Sequence, residues 1–372
     1  MEHCEILIVG GGPAGSTCAR SLRAGGHDVV IMDKATFPRD KICAGWVTPV
    51  VFDELGVDKG DYARSHVLQP ITSFRTGMIG GSVVDTSYEI PVSYGIRRCE
   101  FDHYLLQRCG AKLRLGEKVD SIERTGEGWL INGALTCSLL IGAGGHFCPV
   151  ARMLRKDESP DERESVVAAQ EIEFELTGEE AAECDSPGVR PELWFCPDLA
   201  GYAWCFRKGN FLNVGMGREG GDGLTAQIKE FCESLRATGK VPPRMPRALH
   251  GHAYVLGSSS KRPRVRDRVL LIGDAAGLAY EQSGEGIRPA VESGLMAAAA
   301  IQAAHGDYSE SSLKRFGERM EQRFGSGKNR HRSLFPRKIR EWAASKLIQN
   351  HWFAKRVVIE RWFLRSELPR VA

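Results

Sequence analysis

Gly10, Gly12 and Gly15 stand in the spacing G-x-G-x-x-G directly after the apolar run Ile6-Leu7-Ile8-Val9. That spacing serves phosphate. The first glycine makes a tight turn, the second admits a pyrophosphate against bare backbone, and the third lets a helix lie close on a strand. Pro13 and Ala14 open the new helix; Pro13 has no N–H to offer, but the next residues' unpaired N–H groups and the positive end of the dipole would face a phosphate. Asp33 ends the next apolar run, about 20 residues on, where an acid can accept hydrogen bonds from a ribose diol. A second glycine-and-acid junction lies far along the chain. There Val269-Leu270-Leu271-Ile272 delivers Gly273-Asp274, and Ser283-Gly284-Glu285-Gly286-Ile287 opens an alanine-rich stretch running to about Ala304. Gly284 and Gly286 permit contact with backbone unobstructed by a Cβ.

The elements that must position these groups follow from the local pattern. Strand Ile6–Val9, a helix of small residues to Ala24 that stops at Gly25-Gly26, and strand Val29–Met32 make a βαβ unit. Residues 65–95 alternate between glycines and predict short antiparallel strands, and residues 112–142 predict a β-meander returning to the first sheet. From Val166 to Val255 the pattern is strand-rich, with Leu224–Leu235 an amphipathic helix on the outside. Glu171, Glu173 and Glu175 alternate with Ile172, Phe174 and Leu176. Carboxylates so paired suit acid–base chemistry, but the alternation predicts a solvated sheet face opposite a core face. Tyr202, Trp204 and Phe206 share one strand face, as the wall of an apolar pocket or as a core stripe.

The chain has 372 residues, 42% hydrophobic and 26% charged, so two or three connected domains are expected. A net charge of +3 argues against a dedicated nucleic-acid partner. No apolar run reaches the ~20 residues of a membrane span, and the first strand begins too early for a signal peptide. The eleven cysteines form no C-x-x-C pair, which predicts free thiols in a reducing cytoplasm and no metal site.

After Asp33 come Lys34, Phe37-Pro38-Arg39 and Lys41-x-Cys43-x-Gly45. Together with both junctions, with Arg98-x-x-Phe101-Asp102 and with Tyr202-x-Trp204-x-Phe206, these residues resemble the FAD-dependent geranylgeranyl reductase family, kin of flavin-dependent halogenases and aromatic hydroxylases. The likeness runs to about residue 304. It departs at Ala44, where glycine is usual, at Arg207, where proline is usual, and at Tyr280-Glu281-Gln282 before the second glycine cluster.

The resemblance implies an α/β fold: a Rossmann-like FAD-binding domain (1–64 with 97–165 and 256–304) interleaved with an antiparallel-sheet substrate domain (65–96 with 166–255), plus a C-terminal helical segment (305–372). It implies FAD held by Gly10, Gly12, Pro13, Ala14, Gly15, Asp33, Lys34, Arg39, Lys41, Cys43, Arg98, Gly273, Asp274, Gly284, Gly286 and Ile287. In that arrangement Asp274 bonds the ribityl chain, and the helix after it points its N-terminus at the flavin pyrimidine, where reduced flavin carries negative charge. Arg98 would find its partner in the cofactor, because a buried arginine needs one. Cys43 is expected near the flavin ring or as a buried apolar thiol. With Tyr202 and Trp204 it makes up the expected reaction pocket, and Cys43, Tyr202, Tyr280 and Glu281 are the candidate proton donors.

The implied activity is reduction of C=C bonds in a lipophilic, isoprenoid substrate by hydride from flavin N5. The alternatives are a monooxygenase or halogenase acting on an aromatic, and a flavin-binding sensor without turnover. No second G-x-G-x-x-G follows a strand, so electrons are expected from an external donor, NAD(P)H or a ferredoxin-like carrier. Beyond Lys328, basic residues (Arg330, Arg332, Arg337, Lys338, Arg340, Lys346) interleave with Trp342, Leu347, Trp352 and Trp362. This segment reads as a cap over the cavity, as a peripheral membrane contact, or as a dock for an acidic carrier.

Overall fold

The computed structural model describes residues 1–155, 164, 166–246, 248–257, 259–325 and 337–371, with side chains described only from 343 onward in the last segment. Lys328, Arg330 and Arg332 lie outside the described residues, as do the side chains of Arg337, Lys338, Arg340 and Trp342.

Two sheets divide the work. The first has eight strands, with the order Val265–Arg266, Val269–Leu271, Leu135–Gly142, Glu2–Val9, Val29–Asp33, Lys112–Leu115 along its main path. Its centre is parallel, with Leu7 paired to both Val30 and Leu140. Ile6, Leu7 and Ile8 are wholly buried. A run apolar on both faces suits a parallel strand covered by helices on either side. The strand Lys112–Leu115 is the outer parallel neighbour of Val29–Asp33, so only residues 122–131 of the predicted meander turn antiparallel before rejoining the sheet.

Helices Pro13–Ala24 and Ile287–Ala303 cover this sheet and cross in backbone contact. A Cβ on Gly294 would stand 2.6 Å from the carbonyl oxygen of Ala14, so only glycine permits the crossing. That crossing brings the two junctions, at Gly10–Gly15 and Gly273–Ile287, to one end of one sheet. Gly273 has φ +59°, and a Cβ there would stand 3.0 Å from the Ala14 Cβ.

The second sheet has seven strands, ordered His250–Val255, Val166–Glu175, Phe211–Glu219, Gly201–Lys208, Glu192–Phe195, Ser73–Met78, Val83–Ser87. It is antiparallel except where Glu192–Phe195 runs parallel to Ser73–Met78. One face packs Ile172, Ala203, Val214 and Met216 under the helix Leu224–Ala237, as its amphipathic pattern predicted. The other face carries Trp204, Phe195 and Phe206 and is covered by the C-terminal residues Val358, Ile359 and Phe363. A small three-stranded sheet, Trp46–Val47, Ser93–Ile96 and Leu68–Ile71, links the two bodies.

The segment 305–372, expected as one cap, divides between these bodies. Leu313, Phe316 and Met320 of helix Glu310–Phe324 belong to the core of the parallel sheet. Helix Arg337–Ile348 and the wide π-type turns Ala354–Phe363 lie on the second sheet. The amphipathic spacing of residues 313–320 buries them on whichever apolar surface is nearest, and that surface is the helix layer next to Ile287–Ala303.

Candidate active site

A cavity of about 480 Å³ opens between the two sheets, within the range of small-molecule sites. Gly10, Gly12, Pro13 and Ala14 line it from the first junction and Asp274, Gly284, Gly286 and Ile287 from the second. Asp33, Lys34, Arg39, Lys41, Cys43, Arg98, Tyr202 and Trp204 complete the set expected from the sequence. Gly15 and Gly273 do not line it. A Cβ on Gly15 would overlap the carbonyl oxygen of Gly10, so this glycine serves helix–strand packing, and Gly273 serves the turn.

The glycine cradle has the shape of a ligand bed. Gly10 has φ +116°, and any side chain there would meet Ala143 backbone. Helix Pro13–Ala24 starts at Gly12 without a side-chain cap, which leaves its first N–H groups to the cavity. Asp33 accepts the N–H of Gly11 at 2.8 Å and of Ala35 at 2.9 Å, and each carboxylate oxygen retains a further lone pair. A Cβ on Gly286 would press to 2.9 Å from Asp274 Oδ1. Backbone so bared around two acids and two helix starts fits a dinucleotide.

Charge is arranged along the cavity. Lys41 Nζ lies 2.8 Å from His252 Nε2, which lies 3.9 Å from Asp274 Oδ2. Burial pulls Lys41 down to about 8 and also depresses His252. Burial opposes the charge on Asp274, but His252 and Lys41 hold its carboxyl below the usual range. Arg98 needs a different reading from the one its burial suggested. Its partner is Asp102, one turn along the same helix, at 2.8 and 2.9 Å. A cofactor phosphate is therefore not required to satisfy it, although the guanidinium still lines the cavity.

The acidic strand is the main departure. The alternation of Glu171, Glu173 and Glu175 with Ile172 and Phe174 holds, but the face it predicts as solvated is covered by the loop Lys41–Gly45. Glu171 is 5% exposed and its Oε1 accepts the N–H of Cys43 at 2.6 Å. Glu173 pairs with Lys208, a fully buried lysine that also donates to the Ala44 carbonyl at 2.9 Å. Asn213 donates to the Cys43 carbonyl at 3.4 Å and accepts the Trp204 indole N–H at 2.6 Å. Three side chains of the antiparallel sheet thus grip the backbone of residues 43–44. Only Glu175 remains solvated.

Of the proton-donor candidates, Cys43 and Tyr202 face the cavity. Tyr202 donates its hydroxyl to the Ser283 carbonyl at 2.5 Å, and burial raises its phenol well above the ordinary value. Tyr280 lies off the cavity beneath Arg365, and Glu281 is exposed at the rim of a second one. That second cavity, about 450 Å³, shares Tyr202, Tyr254 and Gly284 with the first. Phe195, Leu256, Leu347, Ile348, Phe353 and Trp362 make its walls apolar. Sequence reasoning missed His252, Tyr254 and Lys208. The period-two run His250-x-His252-x-Tyr254 and a lone lysine ending the apolar strand Tyr202–Phe206 were the available signals.

The family model described as FAD binding domain matches residues 3–323. The chain belongs to that FAD-binding family. A menaquinone reductase of Mycobacterium tuberculosis is 31% identical over 320 residues, covering 80% of this chain and 76% of that protein. Digeranylgeranylglycerophospholipid reductase 2 of Methanosphaera stadtmanae is 26% identical over 333 residues, covering 85% and 82%. In fold the chain matches a geranylgeranyl bacteriochlorophyll reductase-like protein of Thermoplasma acidophilum with a TM-score of 0.73 at 21% identity, covering 94% and 88%. This FAD-binding protein is therefore an FAD-dependent oxidoreductase related to the geranylgeranyl reductases.

Proposed function

We propose that the protein reduces C=C bonds of a lipophilic, isoprenoid substrate. The observation that carries this reading is the second cavity: an apolar chamber continuous in its lining with the flavin cavity and walled by Phe195, Ile348, Phe353 and Trp362. A long hydrocarbon lying there would present one double bond past Tyr202 and Tyr254. The names of the relatives, one a lipid reductase and one a quinone reductase, support a lipophilic substrate.

Bound FAD supplies hydride chemistry. The chain's own residues hold and aim it. The bare N–H groups after Gly12 would receive a pyrophosphate and Asp33 a ribose diol, with Lys34 and Arg39 alongside. Asp274, ordered by His252 and Lys41, would hold the ribityl hydroxyls. The opening of helix Ile287–Ala303, reached through Gly284 and Gly286, would hold the flavin pyrimidine side, and its positive end would favour a negatively charged ring. Cys43, Tyr202 and Trp204 border the reacting face, and Phe363 stands edge-on to Tyr202 with ring centres 5.3 Å apart, limiting water.

Electrons come from an external NAD(P)H or ferredoxin-like donor. The protein meets its substrate at the cytoplasmic membrane surface, where Leu347 at the second cavity is 46% exposed and Trp352, next in sequence to the cavity residue Phe353, is 65% exposed. No helix among the described residues is long and apolar enough to cross a membrane.

The test is anaerobic. Photoreduced protein is mixed with a panel of polyprenyl lipids, and flavin absorbance and product mass are followed. Reoxidation with a product heavier by two hydrogens is expected. Reoxidation by oxygen plus an aromatic, with none by any lipid, would assign a monooxygenase instead.

A further inference from the structure

Two carboxyls border the flavin cavity with an oxygen left over, and different walls hold them. Glu285 accepts the backbone N–H of Arg288 at 3.3 Å, in the first turn of helix Ile287–Ala303. Glu171 stands on the opposite wall, in the antiparallel sheet. Its Oε1 is committed to Cys43 N–H, while its Oε2 is buried without a hydrogen-bond partner. Gly215 on the neighbouring strand makes this placement possible. A Cβ there would meet Glu171 Cβ at 2.9 Å and would overlap the Trp204 ring, so the carboxyl and the indole share the space that glycine leaves.

We propose that Glu171 is the acid of this cavity, giving its Oε2 proton to the alkene carbon that does not take hydride. This rests on the alkene-reductase reading above. The bookkeeping of atoms is simple. The π bond breaks, and one carbon gains a C–H bond with the hydrogen and electron pair of the two-electron-reduced cofactor. The other carbon gains the Glu171 proton, the cofactor is left oxidised, and the carboxylate recovers a proton from water between turnovers.

The surroundings support a neutral, proton-bearing carboxyl. Lys208 and Asn213 favour the ionised form, but Lys208 is already engaged by Glu173 and the Ala44 carbonyl and Asn213 by the Trp204 indole and the Cys43 carbonyl, and Glu173 itself adds like charge. Cys43 and Arg98 face the cavity from the loop and its neighbouring helix, Tyr202 from the adjoining strand, and His252 and Tyr254 from the edge strand. Arg98 is taken up by Asp102, and His252 is neutral beside Lys41. Burial then dominates and pushes Glu171 up to about 7, which is suited to donating near neutral pH.

Glu171→Gln keeps an acceptor for Cys43 N–H and nearly the same volume, but carries no acid proton. The FAD-loaded protein is followed by infrared difference spectroscopy from about pH 5 to about pH 9, across the range of a raised carboxyl. A protonated-carboxyl band that fades through neutral pH is expected, with a component missing in Glu171→Gln and kept in Glu285→Gln. A Glu171→Gln spectrum indistinguishable from wild type overturns the assignment. In anaerobic single turnovers with a geranylgeranyl lipid, Glu171→Gln is expected to slow reoxidation on the order of 10²-fold or more and to flatten its pH profile. FAD affinity should be unchanged, and Glu171→Asp should restore part of the rate. An unaltered rate in Glu171→Gln also overturns the proposal. If wild-type protein is reoxidised by no lipid, the alkene reading fails, while the infrared comparison still decides whether this carboxyl holds the proton.

Discussion

The two walls of the cavity are built on opposite plans. On the parallel-sheet side, contact is made by backbone: turns at Gly10, Gly12, Gly284 and Gly286, and two helix starts whose N-cap residues are glycines, Gly12 and Gly286. On the antiparallel side, contact is made by side chains from three strands, among them Glu171, Tyr202, Trp204, His252 and Tyr254, while Lys208 and Asn213 hold the loop at Cys43 and Ala44 behind them. Backbone sites demand glycine at fixed spacing and tolerate almost nothing else. Side-chain sites depend on register between strands distant in sequence, so each residue can be read alone as ordinary. The first wall is suited to holding a cofactor common to many reactions, and the second to choosing which reaction follows.

The largest effect that would expose this difference is expected at Gly15. Gly15→Val drives a side chain into the Gly10 carbonyl with Ile8 behind it, so the protein should lose bound FAD altogether, read from the visible absorbance after purification. Next comes Lys208→Met, which leaves the half-buried Glu173 with only Arg97 at 3.2 Å and the neutral Asn213 amide at 3.3 Å. Breaking a buried pair costs about 3–5 kcal/mol, measurable as a lower urea midpoint. Adding Glu173→Gln should recover part of that loss, and strict additivity would contradict the clamp.

Phe363→Ala removes a ring stacked 5.4 Å from Trp46 and edge-on to Tyr202. A loss of about 3 kcal/mol is expected from the cavity left behind, with faster oxidation of reduced flavin by air as water enters. An effect of similar size, but spread over a wide pH range, is a pH slope. Glu171 holds its proton to about 7 in the folded protein, against 4.5 ordinarily. Both states are protonated below the ordinary value, so the stabilising contribution is complete there. It is lost as pH rises toward 7, where the unfolded chain ionises first and the folded one resists. The change is on the order of 3 kcal/mol for a shift of this size. Glu171→Gln should therefore compare better with wild type at high pH than at low pH. Equal differences in urea midpoint at both ends would contradict the raised carboxyl.

Most of the parallel body was legible in the sequence. The strand Ile6–Val9, the helix that stops at Gly25 and the acid at Asp33 each carry a local signal, and the helix from Ile287 ends within a residue of its predicted limit. The cavity's second wall was half legible. Period two correctly placed Glu171 with Glu173, and Tyr202 with Trp204, on common faces. What covers a face is not a local property, and the loop Lys41–Gly45 arrives on Glu171 from 128 residues away. Arg98 shows the converse. Its burial was readable, but the carboxylate satisfying it lies four residues on and needed no ligand.

The division between a cofactor-holding wall and a reaction-choosing wall is tested most directly by Trp204→Leu, with FAD affinity and anaerobic reoxidation by a geranylgeranyl lipid measured on the same preparation. The account predicts FAD affinity close to wild type, with reoxidation slowed by at least about tenfold because the substrate loses its positioning surface. FAD affinity falling in step with the rate would contradict it.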